Sequence, residues 1–130
     1  IKAMTYIPRN THLYNQAIEI LRLSRSVSNY LVYDLAHLKK DGSEDPYVYF
    51  TGDIVRQSDS LAPEILKAEN MAFQDDRLKQ AASIERLTSS LYRTCERLER
   101  AESNGKDFVR ILRREIRKFR KLQHKWMMTL

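Results

Sequence analysis

The residues with the most chemistry to offer are the cations near the end of the sequence. Lys106, Arg110, Arg113, Arg114, Arg117, Lys118, Arg120, Lys121 and Lys125 face only Asp107 and Glu115, so the segment carries +7. The rest of the chain holds 14 cations and 15 anions, and the formal charge of +6 therefore belongs to this one stretch. On a helix, Arg110, Arg113, Arg117, Arg120 and His124 recur at spacings of three and four, with Arg114, Lys118, Lys121 and Lys125 as an adjacent ridge. Ridges of this kind suit the phosphates of a polyanion, which Arg can engage bidentately. The plainer alternative is a solvated outer face. Such faces usually mix signs, as Glu85, Arg86, Arg93, Glu96, Arg97, Glu99 and Arg100 do, so the arithmetic favours RNA or DNA as partner. A membrane surface is the weaker reading, because the apolar side of the helix is needed for a core.

Catalytic patterns are scarce. His12, His37 and His124 stand far apart, and neither a His-Glu-x-x-His nor a Glu-x-x-His pair occurs. Gly42, Gly52 and Gly105 are isolated, so no phosphate loop or dinucleotide fingerprint can be assembled. Cys95 falls on an inward stripe and reads as a small buried hydrophobe rather than a nucleophile. No cofactor or metal is expected. A small helical enzyme holding an anionic substrate with Arg22, Arg25 or Arg56 is the rival among enzymes, although these read first as surface cations. Tyr30, Tyr33, Tyr47 and Tyr49 offer rings for stacking or for a protein partner, and more simply pack one end of the fold.

The elements that must position these groups are helical. The 130 residues suffice for one domain, and 42% hydrophobic with 31% charged content supports a core. Three glycines and three prolines are too few for a turn-rich sandwich or barrel, and one cysteine excludes an internal disulfide. No apolar run approaches a membrane span of about 18 residues, and no signal peptide is recognised, so a cytoplasmic protein is expected. Residues 1–3 read as a vector remnant ahead of a native start at Met4.

Four periodic segments follow, over about 11–39, 46–71, 75–102 and 106–128. The first carries Leu13, Ala17, Ile20, Val27, Leu31 and Leu38 after the capping pair Asn10-Thr11, and ends near Lys39-Lys40. Asp41-Gly42-Ser43-Glu44 is the longest loop, and Asp45-Pro46 opens the second segment. That segment carries Tyr47, Phe50, Ile54, Leu61, Ile65 and Ala68, with a kink expected at Pro63. The third starts at Asp75-Asp76, turns Leu78, Ala81, Ile84, Leu91, Cys95 and Leu98 inward, and stops at Ser103-Asn104-Gly105 with a left-handed Gly105. The fourth presents Phe108, Leu112, Phe119, Leu122 and Trp126, widened by Ile111 and Ile116. The polar stripe positions Ser24, Ser58, Thr88 and Glu115 mark bundle ends, helix packing or oligomer contacts. An all-α, antiparallel up-down-up-down four-helix bundle is the economical arrangement.

The chain after Met4 resembles the four-helix-bundle family of 23S rRNA intervening-sequence proteins and, within it, the accessory variability determinant (Avd) proteins of diversity-generating retroelements. The carriers are Tyr49-Phe50-Thr51-Gly52-Asp53-Ile54, then Leu61-Ala62-Pro63-Glu64-Ile65 with Ala68-Glu69, then Phe119-Arg120-Lys121-Leu122-Gln123-His124-Lys125-Trp126. The intervening-sequence branch shows Ile-Pro-x-Asn-Ile-Ala-Glu-Gly at its proline. Here the Asn and Gly are missing, and the Avd-like branch is the nearer one. The resemblance implies a homopentameric ring that binds RNA and DNA through a basic surface and assists a retroelement reverse transcriptase in making diversified cDNA, with no catalytic activity of its own. It implies the basic positions of the last segment as the binding residues, with Arg22 and Arg25 as additions. The expectation is thus a non-enzymatic nucleic-acid-binding accessory protein. A structural or protein-interaction bundle is the alternative, and the anionic-substrate enzyme the third.

Overall fold

A computed structural model describes residues 7–35, 42, 47–101 and 104–130. It contains four helices, α1 (Thr11–Leu35), α2 (Val48–Glu69), α3 (Gln74–Glu99) and α4 (Lys106–Met127), and no strand among the described residues. They form a four-helix bundle in which α1 packs on α2 and α4, and α3 packs on the same two helices from the opposite side.

Each helix follows from an apolar repeat near 3.6 residues. In α1, Leu13, Ala17, Ile20, Val27, Leu31 and Leu35 are buried, with Ser24 and Ser28 between them. Asn10 caps the helix, its Oδ1 accepting the Leu13 N–H at 3.0 Å. α2 buries Ile54, Leu61, Ala62, Ile65 and Ala68 and continues unbroken through Pro63. Asn70 ends it, its N–H and its Nδ2 both donating to the Leu66 carbonyl. α3 places Asp75 and Asp76 in its first turn, where the helix dipole favours carboxylates. It ends at Glu99, three residues earlier than read from the sequence, with Arg100 as its cap.

The polar stripe positions serve helix packing. Ser24 and Ser58 bond across α1 and α2 at 2.7 Å, and Gln16 of α1 donates to Glu115 Oε2 of α4 at 2.7 Å. Thr88 turns its hydroxyl back to the Ile84 carbonyl at 2.8 Å.

Several sequence expectations need correction. The buried stripe of α4 is Val109, Leu112, Ile116, Phe119, Gln123 and Trp126. Phe108 and Ile111 are exposed beside α1, where Phe108 meets Tyr30 edge-on at 5.2 Å, and Leu78 is also exposed. Gly105 is not left-handed. Its φ is −83°, and it caps the start of α4. What it needs is space, since a Cβ there would stand 2.6 Å from Leu31 Cδ2 and 3.0 Å from the Tyr30 ring. The tyrosines split into separate settings, with Tyr47 packed on Phe50 while Tyr33 and Tyr49 are exposed. Leu38, Lys39-Lys40, Asp41, Ser43-Glu44, Asp45-Pro46, Ser103, His37 and residues 1–4 lie outside the described residues.

Candidate nucleic-acid interface

The core stripe of α4 fixes where its cations point. With Leu112, Ile116, Phe119 and Trp126 inward, Arg113, Arg117, Arg120 and His124 turn toward α3, and Arg114, Lys121 and Lys125 turn away from the core. The cations from Arg110 to Lys125 thus divide into two groups with different surroundings.

The α3-facing group is partnered. Tyr92 of α3 stands at its centre, with the Arg120 guanidinium 4.6 Å from the ring centroid and those of Arg113 and Arg117 each at 5.7 Å. Arg117 donates to the Tyr92 hydroxyl from Nε at 3.2 Å and from Nη2 at 3.0 Å. Arg120 donates to Ser89 Oγ at 3.2 Å. Arg113 pairs with Glu99 at 3.1 Å, and Arg110 lies 3.6 Å from the same carboxylate while bonding Asp107 at 3.1 Å. Guanidinium planes over an aromatic face are an arrangement that Lys does not reproduce. His124 Nδ1 is 3.9 Å from Glu85, an ion pair when the imidazole is protonated.

The outward group is free. Arg114, Lys121 and Lys125 are exposed and make no hydrogen bond or ion pair among the described residues. Lys118, beside them, pairs with Glu115 at 2.9 Å. From residue 114 to 125 the helix advances about 16 Å, roughly five nucleotide rises of one duplex strand. Arg22 pairs with Glu19 and Arg25 lies 3.9 Å from Asp59, both guanidiniums being exposed. The α4 residues share one helix, whereas Arg22 and Arg25 stand on α1 with acidic partners of their own.

No family model, curated protein sequence or solved structure matches this chain.

The electrostatics follow the contacts. Glu115 sits below the ordinary carboxylate range, first because Gln16 donates to it and then because Lys118 does. Glu19 is lowered by the hydrogen bond from Arg22, whose guanidinium is raised in turn. Burial pushes the Cys95 thiol up to about 12, with the Glu99 charge adding to the effect. Among the described residues no group of three or more His, Cys, Asp or Glu could hold a metal ion, and no helix is long and apolar enough to cross a membrane. A groove of about 570 Å³ between α1 and α2 is lined by Arg25, Gly52, Arg56 and Asp59 among others. Arg56 there pairs with Asp53 at 2.7 Å.

Three contributors escaped the sequence reading. Tyr92 shares a polar face with Glu85, Ser89 and Glu99, one position past the buried Ile84, Thr88, Leu91 and Leu98, and that offset is the signal that could have found it. Gln123 was hidden between Leu122 and His124, and its register with Phe119 and Trp126 is the available clue. Glu69, only 2% exposed, ties the ends of α1, α2 and α4 together. Its carboxylate accepts the backbone N–H groups of Arg9 at 3.1 Å and Asn10 at 3.3 Å, and the Trp126 indole N–H at 3.0 Å.

Proposed function

We propose that the protein is a non-enzymatic nucleic-acid-binding module whose contact surface is the outer face of α4. One observation carries this reading. Arg114, Lys121 and Lys125 form an unneutralised row on a helix where Arg110, Arg113, Arg117, Lys118 and Arg120 are held by Asp107, Glu99, Tyr92, Glu115 and Ser89. Phosphates meeting this row would release counterions, so affinity falls with salt by about 0.7 to 0.9 log units per contact for each decade. The test is a salt titration of RNA and DNA binding followed by fluorescence anisotropy. Three contacts demand a log–log slope of at least about 2. A flat titration, or no binding at low salt, refutes the reading.

The narrower role, accessory to a retroelement reverse transcriptase within a homopentamer of antiparallel up-down-up-down protomers, rests on the sequence resemblance. For the topology, the contacts between the start of α1 and the ends of α2 and α4 lend support. Light scattering that finds a stable monomer contradicts the pentamer. Co-purification with a reverse transcriptase encoded nearby tests the partner. A protein-interaction module is the second reading. It is favoured by the apolar groove of about 210 Å³ along α1 and α4, where Leu23, Tyr30, Phe108 and Ile111 meet solvent.

A further inference from the structure

Gln123 is an anomaly that a phosphate-binding ridge does not explain. It lies on the core side of α4, is 1% exposed, and leaves its Nε2 without a hydrogen-bond acceptor. Among the described residues it is the only buried side-chain nitrogen or oxygen so placed. An amide N–H shut away from water without an acceptor destabilises a fold, and a leucine of similar size would serve the core better.

The same residue lines a cleft of about 310 Å³ together with Glu85 and Ser89 of α3 and Arg120 and His124 of α4. That volume equals roughly ten water molecules. The groups around it are of mixed character. The Gln123 amide and the Arg120 guanidinium donate, the Glu85 carboxylate accepts, and Ser89 and His124 can do either. A phosphate offers acceptors only and would meet the negative charge of Glu85. The edge of a nucleobase sets donors beside acceptors on a neutral plane, which matches this lining better. Arg120 is also held in place by Tyr92 behind it and Ser89 beside it, so its guanidinium is oriented before any ligand arrives. Lys121 and Lys125 on the adjoining face stand where the flanking phosphates would run.

We propose that this cleft receives one unpaired base of a single-stranded nucleic acid, with Gln123 and Arg120 donating to its acceptors and Glu85 accepting from its amino or imino N–H. The inference rests on the reading of α4 as a nucleic-acid surface and adds to it a preference for unpaired strands. In a duplex each base is stacked and its Watson–Crick edge already paired, so it cannot swing into the cleft.

The test compares three labelled probes at fixed salt: a short mixed-sequence single strand, the same strand with its bases replaced by abasic sites, and the corresponding duplex. Wild-type protein should bind the base-bearing strand about three- to tenfold more tightly than the abasic strand, the range expected for one or two net hydrogen bonds. Gln123→Leu should narrow that gap with an unchanged salt slope, and should melt at a higher temperature than wild type. Glu85→Ala, at a half-exposed position, should tighten the abasic strand and narrow the gap. Equal wild-type affinity for base-bearing and abasic strands overturns the base cleft while leaving the phosphate ridge standing. So does a preference for duplex, or a Gln123→Leu protein that keeps the wild-type discrimination. Salt-independent binding, or none, of all three probes overturns the ridge and the cleft together.

Discussion

Changing Arg114, Lys121 and Lys125 to Gln removes the free row of α4 and nothing else that the structure shows as bonded. Gln keeps helix propensity close to that of Arg and Lys, so the fold should be indifferent to the change. If each side chain meets one phosphate, the log–log salt slope on a single strand drops by about 2. The same figure sets the affinity change at about a hundredfold in 0.1 M salt, shrinking toward nothing at 1 M. The assay is anisotropy across a salt series, run beside thermal melting. The control is Tyr92→Leu, which deletes the ring under three guanidiniums and the acceptor of Arg117 while leaving every cation in the sequence. With three cation–π contacts at about 0.5 to 1 kcal/mol each, that variant should lose about 1.5 to 3 kcal/mol of stability and keep the wild-type slope. The two variants should therefore separate binding from folding. A triple Gln variant with an unaltered slope refutes the assignment of the free row. A Tyr92→Leu protein that is as stable as wild type refutes the claim that the α3-facing cations act in packing.

Glu69→Leu strands the buried Trp126 indole N–H and should destabilise the fold by about 3 kcal/mol, a melting shift of roughly 10 °C, whereas Glu69→Gln should lose about half as much. A leucine variant that melts like wild type would show the carboxylate to be dispensable. Gly105→Ala forces a methyl to 2.6 Å from Leu31 Cδ2, and should reduce stability by about 1 to 3 kcal/mol by denaturant unfolding. Stabilisation instead would mean that Leu31 yields freely and the backbone effect of alanine dominates. Glu115 has a folded-state pKa below its unfolded value, so the unfolded chain binds protons first and stability falls as pH drops from about 4.5 through the lower folded-state value. Glu115→Gln should be less stable than wild type at neutral pH and converge with it in acid. Parallel stability curves would disprove the coupling. The Cys95 thiol, raised to about 12, should resist alkylation at pH 8 in the native protein and react at once in denaturant.

The helices were legible because their apolar spacing is regular, and Leu13, Ile20, Ile54, Leu61, Ile84, Leu91, Leu112 and Phe119 are all buried where the repeat places them. What misled in α4 was size. Phe108 and Ile111 are larger apolar residues than Val109, yet Val109 shares the angular range of Leu112 and Ile116 while the other two fall at the α1 edge. Gly105 misled because a glycine at a helix junction suggests backbone conformation, whereas the actual constraint is the approach of Leu31 from α1. Such a contact has no sequence signature. The basic helix was legible as composition and not as a site, for a related reason. Which of its cations are free depends on Tyr92, Ser89 and Glu99 of another helix. The sequence therefore offered Arg113, Arg117 and Arg120 as readily as Arg114, Lys121 and Lys125.

That division also weighs against a purely structural account of α4. Like charges four apart recur along it at Arg110–Arg114, Arg113–Arg117, Arg114–Lys118, Arg117–Lys121 and Lys121–Lys125. Each such pair opposes an isolated helix by about 0.2 to 0.5 kcal/mol. Some of that strain is relieved at the α3 side, where Tyr92 and Glu99 take up the guanidiniums. The outward row has no such relief, and its repulsion is borne by the burial of Phe119 and Trp126 beneath it. α3 shows that this bundle can clothe an outer face with mixed charge, since Arg86, Arg93, Glu96 and Arg97 share it. A face kept for solvation alone would gain stability by doing the same on α4. An unmixed row gains only when an anion arrives to neutralise it, and a row about 16 Å long suits a polymer of phosphates better than a single small anion.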